Sequence, residues 1–405
     1  MSGIGTPKDK VLVLNTGSSS VKFGLYSIKE DALLLKGRVE RLGSPDALLV
    51  LERFYGSGED AGTLMEERPA GARDVHHAIP LILDLLLKER FLRSLDEILA
   101  VGHRVVHGAE TYTTAVVVTS VVEEDIRELS RFAPLHNPFN LDGIRRCKAL
   151  VGGAPSVAVF DTAFHHTMPR EVFLYGISPR LYERFGVRKY GFHGTNHKYC
   201  SLRAKELLGT MPKRLVTCHL GNGSSVTAIE DGLSVDTSMG FTPTDGLIMG
   251  TRSGAIDPEA VLYLTRELRL SPEKVDAFLN KESGLKAIAG SSDMRDIRRK
   301  ADRGDPDARL ALDMLIYRIR RFIGGYAATL GGLDCLVFTG GIGENAWYVR
   351  EAVCERLEYL GILLDRTKNR ANDHEISSSE SKVKVFVIPA NEELQIARET
   401  RDAIK

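Results

Sequence analysis

A strand–turn–strand unit that occurs twice, half a chain apart, restricts the fold more than any other feature of this sequence. Lys10 to Leu14 is a short apolar run, Asn15-Thr16-Gly17-Ser18-Ser19-Ser20 is small and polar, and Val21 to Tyr26 is apolar again. In the second half, Leu215 to Leu220, the turn Gly221-Asn222-Gly223-Ser224-Ser225 and Val226 to Ile229 repeat the pattern. Apolar runs of strand length bounded by clusters of Gly, Ser and Asn read as β-hairpins. Two hairpins, each placed to open a domain, predict two related α/β halves.

The intervening pattern agrees. Ala78 to Arg90 has helical spacing and Val101 to Val106 reads as a strand. Residues 121–132 predict a helix that stops before Pro134, and Val157 to Phe160 a buried strand running into Asp161. Ala308 to Leu330 predicts a long helix with Leu312, Leu315, Ile316, Ile319, Phe322, Ile323 and Tyr326 on one side, stopped by Gly331-Gly332. Cys335 to Phe338 predicts a strand feeding a glycine-rich turn, Thr339 to Asn345, and then a helix from Ala346. Residues 370–382 are polar and Ser-rich and predict a surface loop. Val383 to Ile388 predicts a final strand, and Asn391-Glu392-Glu393 opens a terminal helix. Alternating strands and helices place the chain in the α/β class.

Composition limits the size and the partners. At about 150 residues per domain, 405 residues allow two or three domains. The 54 basic and 54 acidic residues balance, which argues against a broad nucleic-acid or acidic-membrane surface. Small anionic ligands are untouched by that argument. The richest apolar stretch, Ile79 to Leu87, holds Pro80 and Asp84, so no membrane span is expected. The N-terminus MSGIGTPKDK lacks the apolar region of a signal peptide. Five scattered cysteines without a C-x-x-C pair fit reduced thiols in the cytoplasm.

Several nucleotide and hydrolase signatures are absent: no P-loop, no complete dinucleotide fingerprint, no H-E-x-x-H and no G-x-S-x-G. His103 and His107 are four apart, a metal spacing on a helix, but the valines between them favour a strand. What remains are glycine-rich turns at 15–20, 221–225 and 340–343, with Lys22 on the strand leaving the first. Such turns let backbone amides approach phosphate oxygens closely.

The chain resembles the acetate kinase family, within the actin/Hsp70/sugar-kinase superfamily. The resemblance lies in Asn15-Thr-Gly-Ser-Ser-Ser-Val-Lys22, Gly102-His-Arg-Val-Val-His-Gly108, Ala133-Pro-Leu-His-Asn-Pro138 and Val159-Phe-Asp-Thr-Ala-Phe-His165. It continues through Tyr190-Gly-Phe-His-Gly-Thr195, Cys218-His-Leu-Gly-Asn-Gly223, Asp236-Thr-Ser-Met-Gly240 and Met249-Gly-Thr-Arg-Ser-Gly254. Asp293-Met-Arg295, Phe338-Thr-Gly-Gly-Ile-Gly-Glu-Asn345 and Ile388-Pro-Ala-Asn-Glu-Glu-Leu394 complete it. It implies two duplicated actin/ribonuclease-H-like domains with an active-site cleft between them. The expected division is residues 1–161 with 391–405, contributing acyl substrate and magnesium sites, and residues 162–390, binding nucleotide. A homodimer, a cytoplasmic location, ATP/ADP and Mg²⁺ (or Mn²⁺) are implied as well, with no nucleic-acid or membrane partner.

Carried over residue by residue, the resemblance assigns ATP contacts to Lys22, His219, Leu220, Gly221, Asn222, Gly223, Asp293, Met294, Arg295, Gly341, Ile342, Gly343, Glu344 and Asn345. Taken alone, Asp293 and Arg295 read as an exposed polar pair, and Glu392 as a helix-start residue favoured by the dipole. The implied magnesium positions are Asn15 and Glu392; a hard cation takes oxygen ligands and keeps several waters. Arg104 stands in a Val-rich strand, where a charge is costly unless paired or ligated. Alternation puts Arg104 and Val106 on one face and His103, Val105 and His107 on the other. The family's acyl pocket maps to Val106, Leu135, Phe192 and Pro243, with Arg104 holding the carboxylate.

Acetate is ionised at pH 7, its carboxyl resembling the ~4.3 of a Glu side chain, so attack on ATP needs no general base. The difficulty is to bring two anions together, and an arginine at the transferring group can supply ~10³–10⁵-fold in rate. Arg252 and His193 are expected on the equatorial oxygens, and Asn222 on the transferring or β-phosphate. Asp161, which the family often counts as a catalytic acid/base, is expected instead to orient an arginine or a magnesium-bound water. Ala255, Asn196 and Ala390 depart from the family's usual acidic residue, serine and threonine. The expected reaction is reversible transfer from ATP to acetate, giving acetyl phosphate and ADP. Propionate kinase is the alternative, and an ATP-driven binding protein of actin or Hsp70 type is a third reading.

Overall fold

The computed structural model describes residues 8–30, 32–55 and 62–405. The chain divides into two compact units, Met1–Ala163 with Asn391–Lys405, and Phe164–Ala390. Each is built on one mixed sheet.

The first sheet comprises β1 (Lys10–Thr16), β2 (Ser20–Ser27), β3 (Ala32–Glu40), β4 (Leu48–Tyr55), β5 (Gly62–Pro69), β6 (Ile98–Val105), β7 (Val116–Val117) and β8 (Ser156–Phe160), in the spatial order β5-β4-β3-β2-β1-β6-β8-β7. The second comprises β9 (Arg214–Leu220), β10 (Ser224–Glu230), β11 (Leu233–Thr237), β12 (Cys335–Thr339) and β13 (Lys384–Val387), in the order β11-β10-β9-β12-β13. Both hairpins form, Thr16 opposite Val21 in one and Leu220 opposite Ser224 in the other. In each unit three antiparallel strands are followed by two parallel ones: β3-β2-β1 then β6-β8, and β11-β10-β9 then β12-β13. The first sheet adds β4 and β5 at one edge and β7 at the other.

The central strands are apolar throughout because both faces are covered. On β1, Leu12 and Leu14 join the core under the helix Val75–Lys88, whereas Val11 and Val13 pack beneath Ile396 of the helix Glu392–Ala403. Gly102 on β6 lets that helix lie close: a Cβ there would sit 2.2 Å from Thr400 Oγ1. On β9, Val216 faces the core of the helix Pro306–Thr329 and Leu215 the core of the helix Gly194–Leu208. The long helix starts at an Asp305 cap with Pro306 in its first turn, and its Leu312, Leu315, Ile319, Ile323 and Tyr326 are buried. Ile316 and Phe322 pack at the rim of that core.

Three expectations need correction. Gly340–Asn345 is a short helix rather than an open turn; only its first residue, Gly340 at φ 77°, is in the glycine-favouring region. The segment 370–382 is not all surface loop: Ile376 and Ser377 are buried, and Glu375 bridges to Phe386 on β13. One isoleucine among Ser and Glu leaves no periodicity to read. Finally β6 ends at Val105, so alternation does not carry to Val106, whose amide donates instead to Asn140 Oδ1 at 3.1 Å.

Candidate active site

In the first unit, charge gathers at the ends of β1, β6 and β8. Arg104 Nε donates to both oxygens of Asp161, at 3.1 and 3.0 Å, and Nη2 donates to Oδ2 as well. Arg104 Nη1 reaches Asn15 Oδ1 at 3.3 Å, and Glu392 Oε2 lies 3.9 Å from Nε. Burial opposes the guanidinium's charge, but Asp161 and Glu392 outweigh it and hold the group above its ordinary value. Asp161 is buried and Arg104 is one-fifth exposed. The strand ends are pinned from the helix Asn137–Leu150: Asn140 Nδ2 donates to Thr16 O at 2.6 Å, and Asn137 brackets the His107 backbone with two hydrogen bonds. Glu392 opens its helix behind the Asn391 cap. One guanidinium thus faces two carboxylates and an amide oxygen, leaving net negative charge. Hard oxygens are the ligand type a divalent cation takes, and Asn15 and Glu392 could supply them here.

The same unit holds Lys22, exposed and opposite Asn15 on β2. Val106 is buried, while Leu135 sits exposed in the turn before its helix. His103 is buried with neither ring nitrogen paired, and burial drops it to about 3. Among the described residues no group of three or more His, Cys, Asp or Glu forms a metal cluster.

In the second unit the chemistry is different. His193 stands in the left-handed region (φ 57°) at the start of the helix Gly194–Leu208, and its ring stacks on His219 with centroids 4.2 Å apart. A Cβ on Gly223 would lie 3.4 Å from His193 Nε2 and 3.5 Å from Arg252 Nη1, so imidazole and guanidinium converge on the β9–β10 turn. Arg252 Nη1 touches the Pro243 carbonyl at 3.4 Å, and no carboxylate pairs with this arginine among the described residues. Burial lowers its pKa below the ordinary value. Phe192 is buried beside His193.

The remaining nucleotide candidates lie around that turn. Gly250 abuts Asn222, where a Cβ would come within 1.9 Å of the amide oxygen, and its N–H donates to Asn222 O at 3.0 Å. Gly340 lies against the Leu220 carbonyl at 2.7 Å from a notional Cβ, which joins the 219–223 turn to the helix carrying Gly341, Ile342, Gly343, Glu344 and Asn345. Asp293 caps the helix Met294–Asp302 and pairs with Arg295, whose side chain is 87% exposed; Arg295 holds the Asp293 carboxyl down at about 2. Met294 is buried beneath them.

The acetokinase family model matches residues 10–398. The acetate kinase of Carboxydothermus hydrogenoformans is 48% identical over 98% of this chain and 99% of its own. The chain belongs to the acetokinase family. Solved relatives agree in fold: the Porphyromonas gingivalis acetate kinase superposes with a TM-score of 0.88 at 42% identity, over 98% of this chain and all of that one. A propionate kinase from Francisella tularensis gives 0.89 at 40%, over 97% and 99%. The mixed α/β architecture is therefore that of the acetokinases.

Membership of the acetokinase family does not reveal the supports that the sequence left unread. Ser225 Oγ lies 2.9 Å from His193 Nδ1 and 2.7 Å from His197 Nε2, and His197 Nδ1 lies 2.7 Å from Thr217 Oγ1. His165 Nε2 donates to the Phe192 carbonyl at 3.0 Å, with Ser234 Oγ at its other nitrogen. Asn196 Nδ2 donates to His219 Nδ1 at 2.8 Å, so the departure from serine orients a site residue. Arg350, fully buried, donates to the carbonyls of Gly343 and Glu344 and to Asn369 and Asn372. The one sequence signal was the H-x-x-x-H spacing of His193 and His197, which puts both on one side of a helix start.

Proposed function

We propose that the chain catalyses reversible transfer of the ATP γ-phosphoryl group to acetate, giving acetyl phosphate and ADP. The observation that carries the mechanism is the convergence of His193 and Arg252, an arginine without a carboxylate partner, on the glycine turn at Gly223. A guanidinium left unneutralised beside exposed backbone amides is an anion site. Arg252 and His193 stabilise charge on the equatorial oxygens, and Asn222 with the amides of 221–223 and 341–345 positions the phosphates. Residues 162–390 are assigned to nucleotide, including Asp293 to Arg295, and residues 1–161 with 391–405 to acyl substrate and metal; Lys22 reaches phosphate from the first hairpin.

Acetate arrives as its anion and needs no base. Arg104 holds its carboxylate, while Asp161 keeps that guanidinium oriented and charged. Val106, Leu135, Phe192 and Pro243 are assigned to the methyl group. Mg²⁺, with Mn²⁺ an acceptable substitute, would be held by Asn15 and Glu392 and would neutralise phosphate charge. We place the protein in the cytoplasm on its five buried, unbridged cysteines. We propose a homodimer without nucleic-acid or membrane partners; no described helix is long and apolar enough to cross a membrane, and exposed Leu262, Tyr263, Leu268, Leu310 and Tyr317 offer apolar contact.

The resemblance to a propionate kinase keeps one further reading open, because a methylene in an apolar pocket is worth only about 1–3 kcal/mol. Measuring kcat/KM across formate, acetate, propionate and butyrate decides between them: acetate should lead. A maximum at propionate would reassign the substrate, and no ATP formed from ADP and any acyl phosphate would end the kinase reading.

A further inference from the structure

We propose that His197, acting through Ser225, is a positioning residue that fixes His193 as a neutral imidazole with its proton on Nε2. The inference rests on the proposed contact between His193 and the transferring group, and adds which form of the ring makes that contact.

A chain of hydrogen bonds links Thr217 to His193. It runs from Thr217 Oγ1 to His197 Nδ1, from His197 Nε2 to Ser225 Oγ, and from Ser225 Oγ to His193 Nδ1. Thr217, Ser225 and His197 are all fully buried. Burial first, then the neighbouring His165 and His197's other neighbour His219, keep His197 well below its ordinary value, so it carries one ring proton. A hydroxyl has one proton, and so has a neutral imidazole. Three arrangements then make every contact a hydrogen bond, and the one in which both rings donate to Ser225 leaves that buried O–H with no acceptor among the described residues; two polarities remain. If His193 Nδ1–H donates to Ser225, Ser225 donates to His197 Nε2 and His197 Nδ1–H donates to Thr217. Among the described residues Thr217 Oγ1 makes no other hydrogen bond, so its own buried O–H would have no acceptor. In the opposite polarity Thr217 donates to His197 Nδ1, His197 Nε2–H donates to Ser225, and Ser225 donates to His193 Nδ1. The protons of Thr217, His197 and Ser225, the three buried members, then all have acceptors, and a buried donor left unmade is what folded proteins avoid.

The second polarity makes His193 Nδ1 an acceptor and puts the proton on Nε2, the atom that faces the Gly223 turn. Arg252 converges on the same turn, and His219 stacks on the ring while receiving its own Nδ1 bond from Asn196. An added imidazolium would face one fixed cation and a second imidazole. His193 thus offers phosphate oxygens an N–H without first taking up a proton. Turnover should not require a group that protonates near neutrality.

The test uses the full chain labelled with ¹⁵N-histidine, His193 being identified by the signal lost in His193→Gln. At pH 7.5, the ring nitrogens of His193 should show the Nε2–H form. In Ser225→Ala that preference should disappear, and kcat should fall about ten-fold with both KM values within two-fold. Thr217→Val, which keeps the shape and removes the terminal donor, should shift the same signals with a smaller loss of kcat. His197→Gln, whose amide can donate in place of Nε2–H, should retain most of the turnover. A resting His193 carrying its proton on Nδ1, or on both nitrogens, overturns the inference. So does Ser225→Ala with unchanged signals and unchanged kcat. If His193→Ala kept full turnover, the transfer role of His193 would fall, yet the tautomer in the resting protein would still decide the positioning inference.

Discussion

The two units share a strand order but not a chemistry. At the first hairpin the working side chains are an arginine already satisfied by carboxylates: Arg104 with Asp161, Glu392 and Asn15. At the second, the arginine has no carboxylate, and the groups around it are imidazoles and glycine amides. The same scaffold therefore yields one arginine braced by carboxylates and one left unneutralised, which the proposed function uses to draw an anion. What differs is a handful of residues at strand ends, where side chains are free to change without disturbing the apolar strands behind them.

That contrast predicts unequal effects. Arg252→Ala should cost the most, about 10³–10⁵-fold in kcat with acetate KM little changed, since its proposed contact is to the transferring group. If steady-state kinetics returned a raised acetate KM and intact kcat, the two arginines would have to exchange roles. Asp161→Asn should cost less, roughly ten- to hundred-fold, by loosening the charge-assisted brace on Arg104. Its pH–rate profile should keep the wild-type shape; loss of a limb near neutrality would make Asp161 the acid or base itself.

A separate effect, on stability rather than turnover, concerns what the units have in common, buried neutral histidines. Burial lowers His103 and His107 to about 3 in the first unit and His165 to about 4 in the second. An unfolded histidine titrates near ~6.5, so between these values the unfolded chain binds more protons and acid favours unfolding. Their contribution is complete above about pH 6.5 and declines as pH falls toward the folded values, at up to ~1.4 kcal/mol per pH unit for each ring. Urea unfolding at pH 7.5 and 5.0 should show about 2 kcal/mol lost per histidine. Equal stability at both would mean that the rings find partners when protonated.

The repeat was legible because both hairpins combine unbroken apolar runs with Gly- and Ser-rich turns, and those signals are local. The helix Gly340–Asn345 was not, since its glycines read as a turn and its helicity depends on Arg350 donating to its final carbonyls. Asp161 was expected to orient an arginine or a metal-bound water, but which arginine was not legible, because the pairing with Arg104 joins β6 to the end of β8 and leaves no mark in either segment. Asp293 and Arg295 form the exposed pair that their spacing alone indicated. The His197 chain escaped notice because serine and threonine inside strands look like ordinary β residues. Only side-chain geometry separates a filler hydroxyl from one that hands on a hydrogen bond.

The helix Glu392–Ala403 has a consequence for how the molecule is made. It covers the face of the first sheet formed by Val11, Val13, Val157 and Val159 and supplies Glu392, yet the whole second unit intervenes before it in the chain. On the ribosome, that face must wait uncovered while residues 164–390 are synthesised and fold. The first unit to be translated is therefore the last to close. A nascent chain stalled anywhere within the second unit would present a bare apolar sheet to its surroundings.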